Sequence, residues 1–208
     1  MGNLGRLSVT RKTGQERFYS DGVELGFDVL DFWQWSASDL ISNATRGRLA
    51  EYIVARALGV AAGGLRNEWD TYDLMTPSGH PVEVKSAAYV QSWHQEKLSA
   101  ISFLTRPTRA WDPETNKSSD RPERHADVYV FALLACTDKN RVDPLNISQW
   151  QFFVVPTRVL NDRRRSQHSI TLKSLRALCH DALSYADLGE VIEEAAAKDS
   201  EAIRPSAG

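Results

Sequence analysis

Two short apolar runs constrain the fold of this 208-residue chain more than any other feature. They span residues 128–134 and 151–155, and neither contains a charged side chain. A strand with one face in solvent alternates apolar and polar residues, whereas a strand covered on both faces is apolar throughout. The two runs therefore predict the central strands of a sheet that is covered on both sides.

A β-hairpin is predicted upstream of these strands. Residues 72–76 and 81–86 are short strand-like segments, and Pro77-Ser78-Gly79 between them is typical of a turn. The register of the two strands cannot be fixed from one sequence. The pattern nevertheless predicts two neighbouring strands joined by a tight turn.

The second strand of this hairpin carries charged side chains on one face. Because side chains alternate along a strand, Val82 and Val84 point into a core, and Glu83 and Lys85 emerge together on the other side. Asp73 is expected on the same side as Glu83, because both of its neighbours on the first strand are apolar or aromatic. The hairpin would thus gather two carboxylates and an ammonium.

Such a cluster has a chemical consequence. Two carboxylates about 5 Å apart repel each other by roughly 3 kcal/mol at an effective dielectric near 20, so they must share a proton or hold a cation. Mg²⁺ prefers oxygen ligands and can bridge carboxylates to a substrate phosphate, beside which Lys85 could orient water. The alternative is a solvated Glu83–Lys85 pair without function.

A helix with an acidic residue precedes the hairpin. Apolar residues between 45 and 58 recur at helical spacing, and Gly59 is a typical helix stop. Glu51 lies beside the apolar stripe and could reach over the edge of the sheet. It is either an ordinary flanking residue or a supporting contact at a metal site.

The order of these features resembles the PD-(D/E)xK nuclease superfamily, over about residues 44–93. One departure is Tyr72, which stands where the family name has proline. The resemblance implies an α/β fold of the restriction-endonuclease type, with a mixed central β-sheet flanked by helices. It also implies a DNA nuclease dependent on Mg²⁺, with Mn²⁺ as a substitute, and restriction or phage defence as its setting. The implied roles are metal ligation by Asp73, Glu83 and the Val84 carbonyl, activation of water by Lys85, and support from Glu51.

Two further sets of residues are predicted to contact nucleic acid. The face that carries Lys85 would continue to Gln91, for a phosphate or base edge, and to Trp93, for stacking. Residues 157–176 contain six bases and one acid, which indicates a phosphate-facing patch around Arg163, Arg164 and Arg165. A covered strand face and a solvated loop are the respective alternatives.

Charge divides the chain into three predicted parts: a polar arm (1–28), a nuclease-like domain (29–180) and an acidic helical tail (181–208). The tail holds seven acids and two bases, a net charge of −5. The remaining residues hold 23 bases and 20 acids, so the body is mildly basic although the whole chain carries −2.

The chain lacks an apolar run long enough to span a bilayer and a signal-peptide pattern, so we expect a cytoplasmic protein without a membrane partner. Cutting both strands of a duplex would favour a homodimer. Two other functions stay open. One is a non-catalytic nucleic-acid-binding module, and the other is a structural or partner-binding protein that acts through the aromatic helix around Trp33 and the acidic tail.

Overall fold

The computed structural model describes Gly5 and residues 7–62, 64–66, 68–164, 166–179 and 181–203. For residues 199–203 it describes the backbone only. Ten strands and five α-helices are assigned within these residues. The strands are β1 (Arg17–Ser20), β2 (Val23–Asp28), β3 (Leu74–Met75), β4 (Pro81–Ala88), β5 (Ser102–Leu104), β6 (Trp111–Asp112), β7 (Lys117–Ser118), β8 (Val128–Leu134), β9 (Trp150–Pro156) and β10 (Ser169–Thr171). The helices are α1 (Val29–Ala37), α2 (Asn43–Ala57), α3 (Thr157–Asn161), α4 (Leu172–Cys179) and α5 (Tyr185–Ile203).

A four-stranded mixed sheet forms the centre of the fold, in the order β3-β4-β8-β9. β4 runs antiparallel to β3 and parallel to β8, and β9 runs antiparallel to β8. Every residue of β8 is buried, which confirms the prediction that the apolar run 128–134 lies at the sheet centre. The chain therefore has a mixed α/β fold.

Both faces of this sheet are covered. On one face of the sheet, α2 and α5 pack on Val82 and Val84 of β4 and on the β8 side chains of the same face. On the other face, segments including β5, β10 and α4 enclose Phe131 and Phe153. Phe103 of β5 meets Phe131 edge to face, with ring centroids 5.1 Å apart. The two cores fix β4 between them, and β4 carries Glu83 and Lys85.

Helix α2 matches the helix predicted for residues 45–58. Ala50, Ile53 and Val54 are buried against the sheet, as the apolar stripe required. Gly59 follows the helix with φ +73°, a conformation that costs glycine little because it has no Cβ. The helix thus ends where the sequence indicated.

The predicted hairpin is also confirmed. Leu74 pairs with Val82 and Met75 with Pro81, and the Gly79 N–H donates to the Thr76 carbonyl (3.0 Å). Its first strand is only two residues long, and Gly79 has φ +86°. The short strand leaves Asp73 at the open edge of the sheet.

The N-terminal arm contains a feature that the sequence prediction missed. Strands β1 and β2 form an antiparallel hairpin, where only a partly ordered segment was expected. The turn between them is Asp21-Gly22, and both residues have positive φ, +50° and +80°. An Asp-Gly turn between apolar-rich segments is a strong hairpin signal, and it could have identified these strands.

The C-terminal segment also differs from the expected picture of an appended tail. It is helical, as predicted, but Leu188, Ile192 and Ala196 of α5 are fully buried in the core beside α2. Asp187, Glu190 and Glu194 of this helix are exposed. The division into arm, domain and tail stays a prediction. Within the residues described, no helix is long and apolar enough to cross a membrane.

Candidate active site

The β3–β4 hairpin brings Asp73 against the strand that carries the other predicted site residues. The Asp73 N–H donates to the Val82 carbonyl (3.0 Å), and the Val84 N–H donates to Asp73 Oδ2 (2.7 Å). These bonds fix the carboxylate beside β4. Because the N–H and C=O of one strand residue point to the same side of the strand, the Val84 carbonyl faces the same edge of β4 as its N–H.

Glu83 and Lys85 emerge from the same face of β4. Lys85 Nζ forms an ion pair with Glu83 Oε1, and the two side chains are 31% and 18% exposed, respectively. Val82 and Val84 are buried on the opposite face, so the predicted alternation is confirmed. The ammonium compensates the charge of one carboxylate at a half-buried position, where a lone charge would be costly.

The Asp73 carboxyl has unusual electrostatics. The pKa of this group is raised to about 7, chiefly by burial and then by the negative charges of Glu83 and Glu51. The Val84 N–H and the Lys85 ammonium oppose this rise, and they do not cancel it. A strongly perturbed carboxyl with specific charged neighbours is typical of functional sites.

Glu51 reaches this cluster from α2, and Arg66 meets it there. The Arg66 guanidinium bonds both Glu51 oxygens: Nε to Oε2, and Nη2 to Oε1 at 3.4 Å. The hydrogen bond with Glu51 raises the pKa of Arg66, and the negative charges of Glu51, Asp73 and Glu68 add to this effect. Arg66 was not predicted, because it lies in the loop before β3 and belongs to no local motif.

A pocket of about 390 Å³ opens at this edge of the sheet. Its walls include Glu51, Asp73 and three arginines, Arg11, Arg48 and Arg66. Guanidinium groups bind phosphate oxygens through paired donors, so the pocket combines phosphate-binding groups with a carboxylate cluster. The arginines come from three separate parts of the sequence, and only the fold brings them together.

Tyr129 and Arg124 lie behind Glu83. Tyr129 is the β8 partner of Glu83 in the strand register, and burial raises the pKa of its phenol above the ordinary value. The charges of Glu83 and Asp73 raise it further, whereas Arg124 lowers it. Arg124 Nε donates to the Thr105 carbonyl (2.9 Å), which fixes the guanidinium. Because Tyr129 lies within an apolar run, the sequence indicated only a core residue.

A second depression, of about 480 Å³, extends from Lys85 to Trp93 along β4. We call it the β4 groove. Trp93 is 53% exposed at its far end, which is compatible with the predicted stacking role. Arg46 lies in its wall with 4% exposure and bonds neutral acceptors, including Ser86 Oγ (3.0 Å) and Asn43 Oδ1 (2.8 Å). A buried guanidinium without a carboxylate among these partners gives the groove a positive potential.

The structure corrects the prediction for Gln91. Strand β4 ends at Ala88, so the alternation that placed Gln91 on the Lys85 face does not continue. The Gln91 side chain is buried; its Nε2 donates to the Ala88 carbonyl (2.9 Å) and its Oε1 accepts from Arg46 Nη1 (3.3 Å). Its amide bonds within the protein, so it supports the wall of the β4 groove, and its contact with nucleic acid stays a prediction.

The predicted arginine patch is divided in the structure. Arg163 is half-buried and close to Arg124, whose pKa is lowered by burial and by the Arg163 charge. Arg164 is exposed, and Arg165 lies outside the described residues. A role of these arginines in binding nucleic acid stays a prediction.

The donor set of the site fits a hard divalent cation. In the described part of the chain, no group of three or more His, Cys, Asp or Glu side chains converges on a common point. A cation here would instead rest on Asp73, Glu83, the Val84 carbonyl and water, which is the sparse coordination that Mg²⁺ accepts. The raised pKa of Asp73 agrees with this, because a cation is what would stabilise the ionised carboxylate.

Comparison with known families identifies the broader class of the protein. A family model described as bacteriophage T4 endonuclease IV matches residues 16–174, which is more than half of the chain. The chain belongs to the bacteriophage T4 endonuclease IV family. The matched region contains the β3–β4 hairpin, the β4 groove and the lining of the pocket except Arg11, so the carboxylate cluster lies within a nuclease family sequence. No curated protein matches the chain significantly.

Proposed function

We propose that this protein is a divalent-cation-dependent endonuclease that hydrolyses phosphodiester bonds in DNA, with an active site of the PD-(D/E)xK type. One observation carries the proposal: the Asp73 carboxylate is held by the Val84 N–H beside Glu83, and its pKa lies near 7. A protein that only binds nucleic acid has no use for two adjacent carboxylates, because they repel each other and phosphate.

The arrangement of elements is compatible with a restriction-endonuclease-like core. Helix α2 carries the leading acid, the β3–β4 hairpin carries the other site residues, and β8 lies parallel to β4. This order matches the one that the sequence motif implies. We therefore assign the mixed sheet to that fold as part of the proposal.

Asp73, Glu83 and the Val84 carbonyl would hold Mg²⁺, for which Mn²⁺ could substitute. When bound, such a cation supplies Lewis-acid activation of water and compensates charge on the phosphate. Asp73 must be ionised to act as a ligand, so its pKa sets a pH below which the site is incomplete. Glu51 and Arg66 would support the cluster from the side of α2.

Lys85 is assigned to the attacking water. Its ammonium lies at Glu83 and at the mouth of the β4 groove, where it can orient water and offset the charge that develops on phosphorus oxygens. A new bond forms between the water oxygen and phosphorus, and the bond from phosphorus to the leaving oxygen breaks. The proton lost by water passes to solvent or to the leaving oxygen.

The surface around the cluster would bind the substrate strand on two sides. Arg11, Arg48 and Arg66 line the pocket beside Asp73, and Trp93 lies at the far end of the β4 groove. Guanidinium groups suit the phosphates, and the indole face suits a base or sugar. The candidate cleavage position lies between these two surfaces.

The proposal is tested by incubating the protein with duplex, single-stranded, branched and modified DNA, and with RNA, with Mg²⁺ or with a chelator. We expect cleavage of DNA that requires the cation. Lys85→Ala and Glu83→Gln should each reduce the rate at least ~100-fold. The matched control is Lys97→Ala, because Lys97 is exposed outside the site.

Two results would contradict the proposal. One is full activity of both site variants. The other is salt-sensitive binding of DNA without cleavage and without a cation requirement, which would identify a non-catalytic binding module instead.

A further inference from the structure

The N-terminal module, defined as residues 14–37 with β1, β2 and α1, has no core of its own. Between residues 15 and 36 no side chain is buried, although the segment is rich in aromatic residues. Trp35 is 85% exposed. The large hydrophobic side chains of the module that are exposed are Phe18, Tyr19, Val23, Phe27, Leu30, Phe32, Trp33 and Trp35.

Local contacts nevertheless give the module a defined shape. The Leu30 N–H donates to the Gly14 carbonyl (2.9 Å), and the rings of Phe18 and Phe27 lie 4.8 Å apart. Asp28 caps α1 by accepting from the Asp31 N–H (3.1 Å). A two-stranded hairpin and a nine-residue helix are marginal in water unless something packs on them.

Helix α1 is apolar on more than one side. At 100° per residue, Leu30 and Trp33 lie on one side, whereas Phe32 and Trp35 point away from it. A helix with apolar side chains around most of its circumference is normally buried, yet no residue of α1 is buried in the single chain. The exposed side therefore requires a covering surface.

Charge excludes nucleic acid as the partner that covers the module. Residues 14–37 contain five acids and one base, and the base, Arg17, pairs with Asp28 at 3.8 Å. Nucleic acid would be repelled by this surface. A large hydrophobic side chain has about 200 Å² of accessible surface when fully exposed. The eight exposed hydrophobic side chains of the module therefore leave on the order of 800 Å² uncovered. One partner in a stable protein interface buries about this area.

We propose that the N-terminal module is the dimerisation surface of this protein, covered by the same module of a second copy. A two-fold contact buries the same patch on both chains, and a patch of this area is sufficient for a standard interface. The central aromatic side chains would form the buried part, and the acids would remain at the solvated rim. The inference does not rest on the proposed nuclease activity.

The test is the mass of the full chain in solution, measured by size-exclusion chromatography with light scattering over a range of concentrations. We expect the parent to run at twice 23.3 kDa at micromolar concentration. The double variant Phe32→Glu with Trp35→Glu should raise the dimer dissociation constant at least ~100-fold. The matched control, Leu145→Glu, changes a side chain that is 67% exposed outside the module, and it should remain dimeric.

The salt dependence of the dimer distinguishes an apolar interface from a nucleic-acid-binding surface. Salt does not weaken an apolar interface with acidic rims. Far-UV circular dichroism checks that the double variant is folded. Hydrogen exchange of residues 29–37 in the unmodified parent gives a second readout, since their protection should rise with protein concentration. A parent that is monomeric at all concentrations, or a folded double variant that dimerises as the parent does, would overturn the proposal.

Discussion

Burial and the repulsion by neighbouring carboxylates both raise the pKa of Asp73, and this side chain sets the pH behaviour of the site. The pKa of the carboxyl is raised from 3.8 to about 7 in the folded protein, so the folded state keeps its proton to higher pH than the unfolded state. The free energy of unfolding must therefore fall as the pH rises through this window. Once ionised, this carboxyl therefore lowers the stability of the folded protein.

Removal of the Asp73 charge should therefore stabilise the protein at high pH. Without divalent ions, Asp73→Asn should raise the free energy of unfolding by on the order of 2 kcal/mol at about pH 8, because asparagine can still accept the Val84 N–H and carries no charge. The gain should vanish below about pH 4, where the parent carboxyl is protonated in both states. Urea denaturation at several pH values measures it.

The matched control is Asp120→Asn, which changes an exposed aspartate and should leave stability within ±0.5 kcal/mol of the parent. An Asp73→Asn variant that is less stable than the parent at pH 8 would show that the carboxylate contributes favourable contacts that outweigh its burial.

Trp93 is the second side chain with a specific expectation. Stacking of a base on an exposed aromatic ring contributes about 1–3 kcal/mol, so Trp93→Ala should raise the dissociation constant for DNA about 5- to 100-fold. Fluorescence anisotropy with a labelled DNA and a Lys85→Ala background, which removes turnover, measures this change. Leu145→Ala serves as the control because that side chain is exposed away from the β4 groove. Equal affinities of the two variants would exclude a stacking role for Trp93.

The contact of α5 with α2 depends on a glycine. A Cβ on Gly189 would stand 2.4 Å from the Ala57 carbonyl oxygen, and backbone cannot move aside easily. Alanine normally favours a helix over glycine by about 1 kcal/mol, but here the collision is larger than that gain. We expect Gly189→Ala to lower stability by about 1–3 kcal/mol.

Gly47 in α2 provides the opposite case. A Cβ there would meet nothing within 4 Å, so Gly47→Ala should raise stability by about 0.5–1 kcal/mol. Thermal unfolding of both variants measures the contrast. If Gly189→Ala melts above the parent, α5 does not approach α2 as closely as described.

Strands and helices with strong local patterns were predictable. The unbroken apolar run of β8 indicates burial on both faces, and the apolar stripe of α2 indicates burial on one face. Both elements were predicted correctly. The β1–β2 hairpin was missed although two local signals marked it: the Asp21-Gly22 turn, and the alternation of apolar residues with polar residues or glycine from Val23 to Asp28. The packing of α5 was hidden by its acidic composition, since three buried positions are enough to anchor a helix with a charged outer face.

The assembled molecule explains why only part of the site could be read in advance. Asp73, Glu83 and Lys85 lie on one hairpin, so local alternation is sufficient to bring them together. Arg11 and Arg66 reach the pocket from distant segments, which no local pattern reveals. The expected position of Gln91 on the Lys85 face was wrong, because the strand ends before it and its side chain turns inward to bond Arg46.

Titration calorimetry with Mn²⁺ or Mg²⁺ at about pH 6 and pH 8 tests most directly whether Asp73 and Glu83 form a cation site. We expect weaker binding at the lower pH, with proton release, because the Asp73 carboxyl must lose its proton. Asp73→Asn and Glu83→Gln should each weaken binding at least ~10-fold, and Asp120→Asn should not. Equal affinity in the parent and both site variants, without proton release, would contradict a cation site at Asp73 and Glu83.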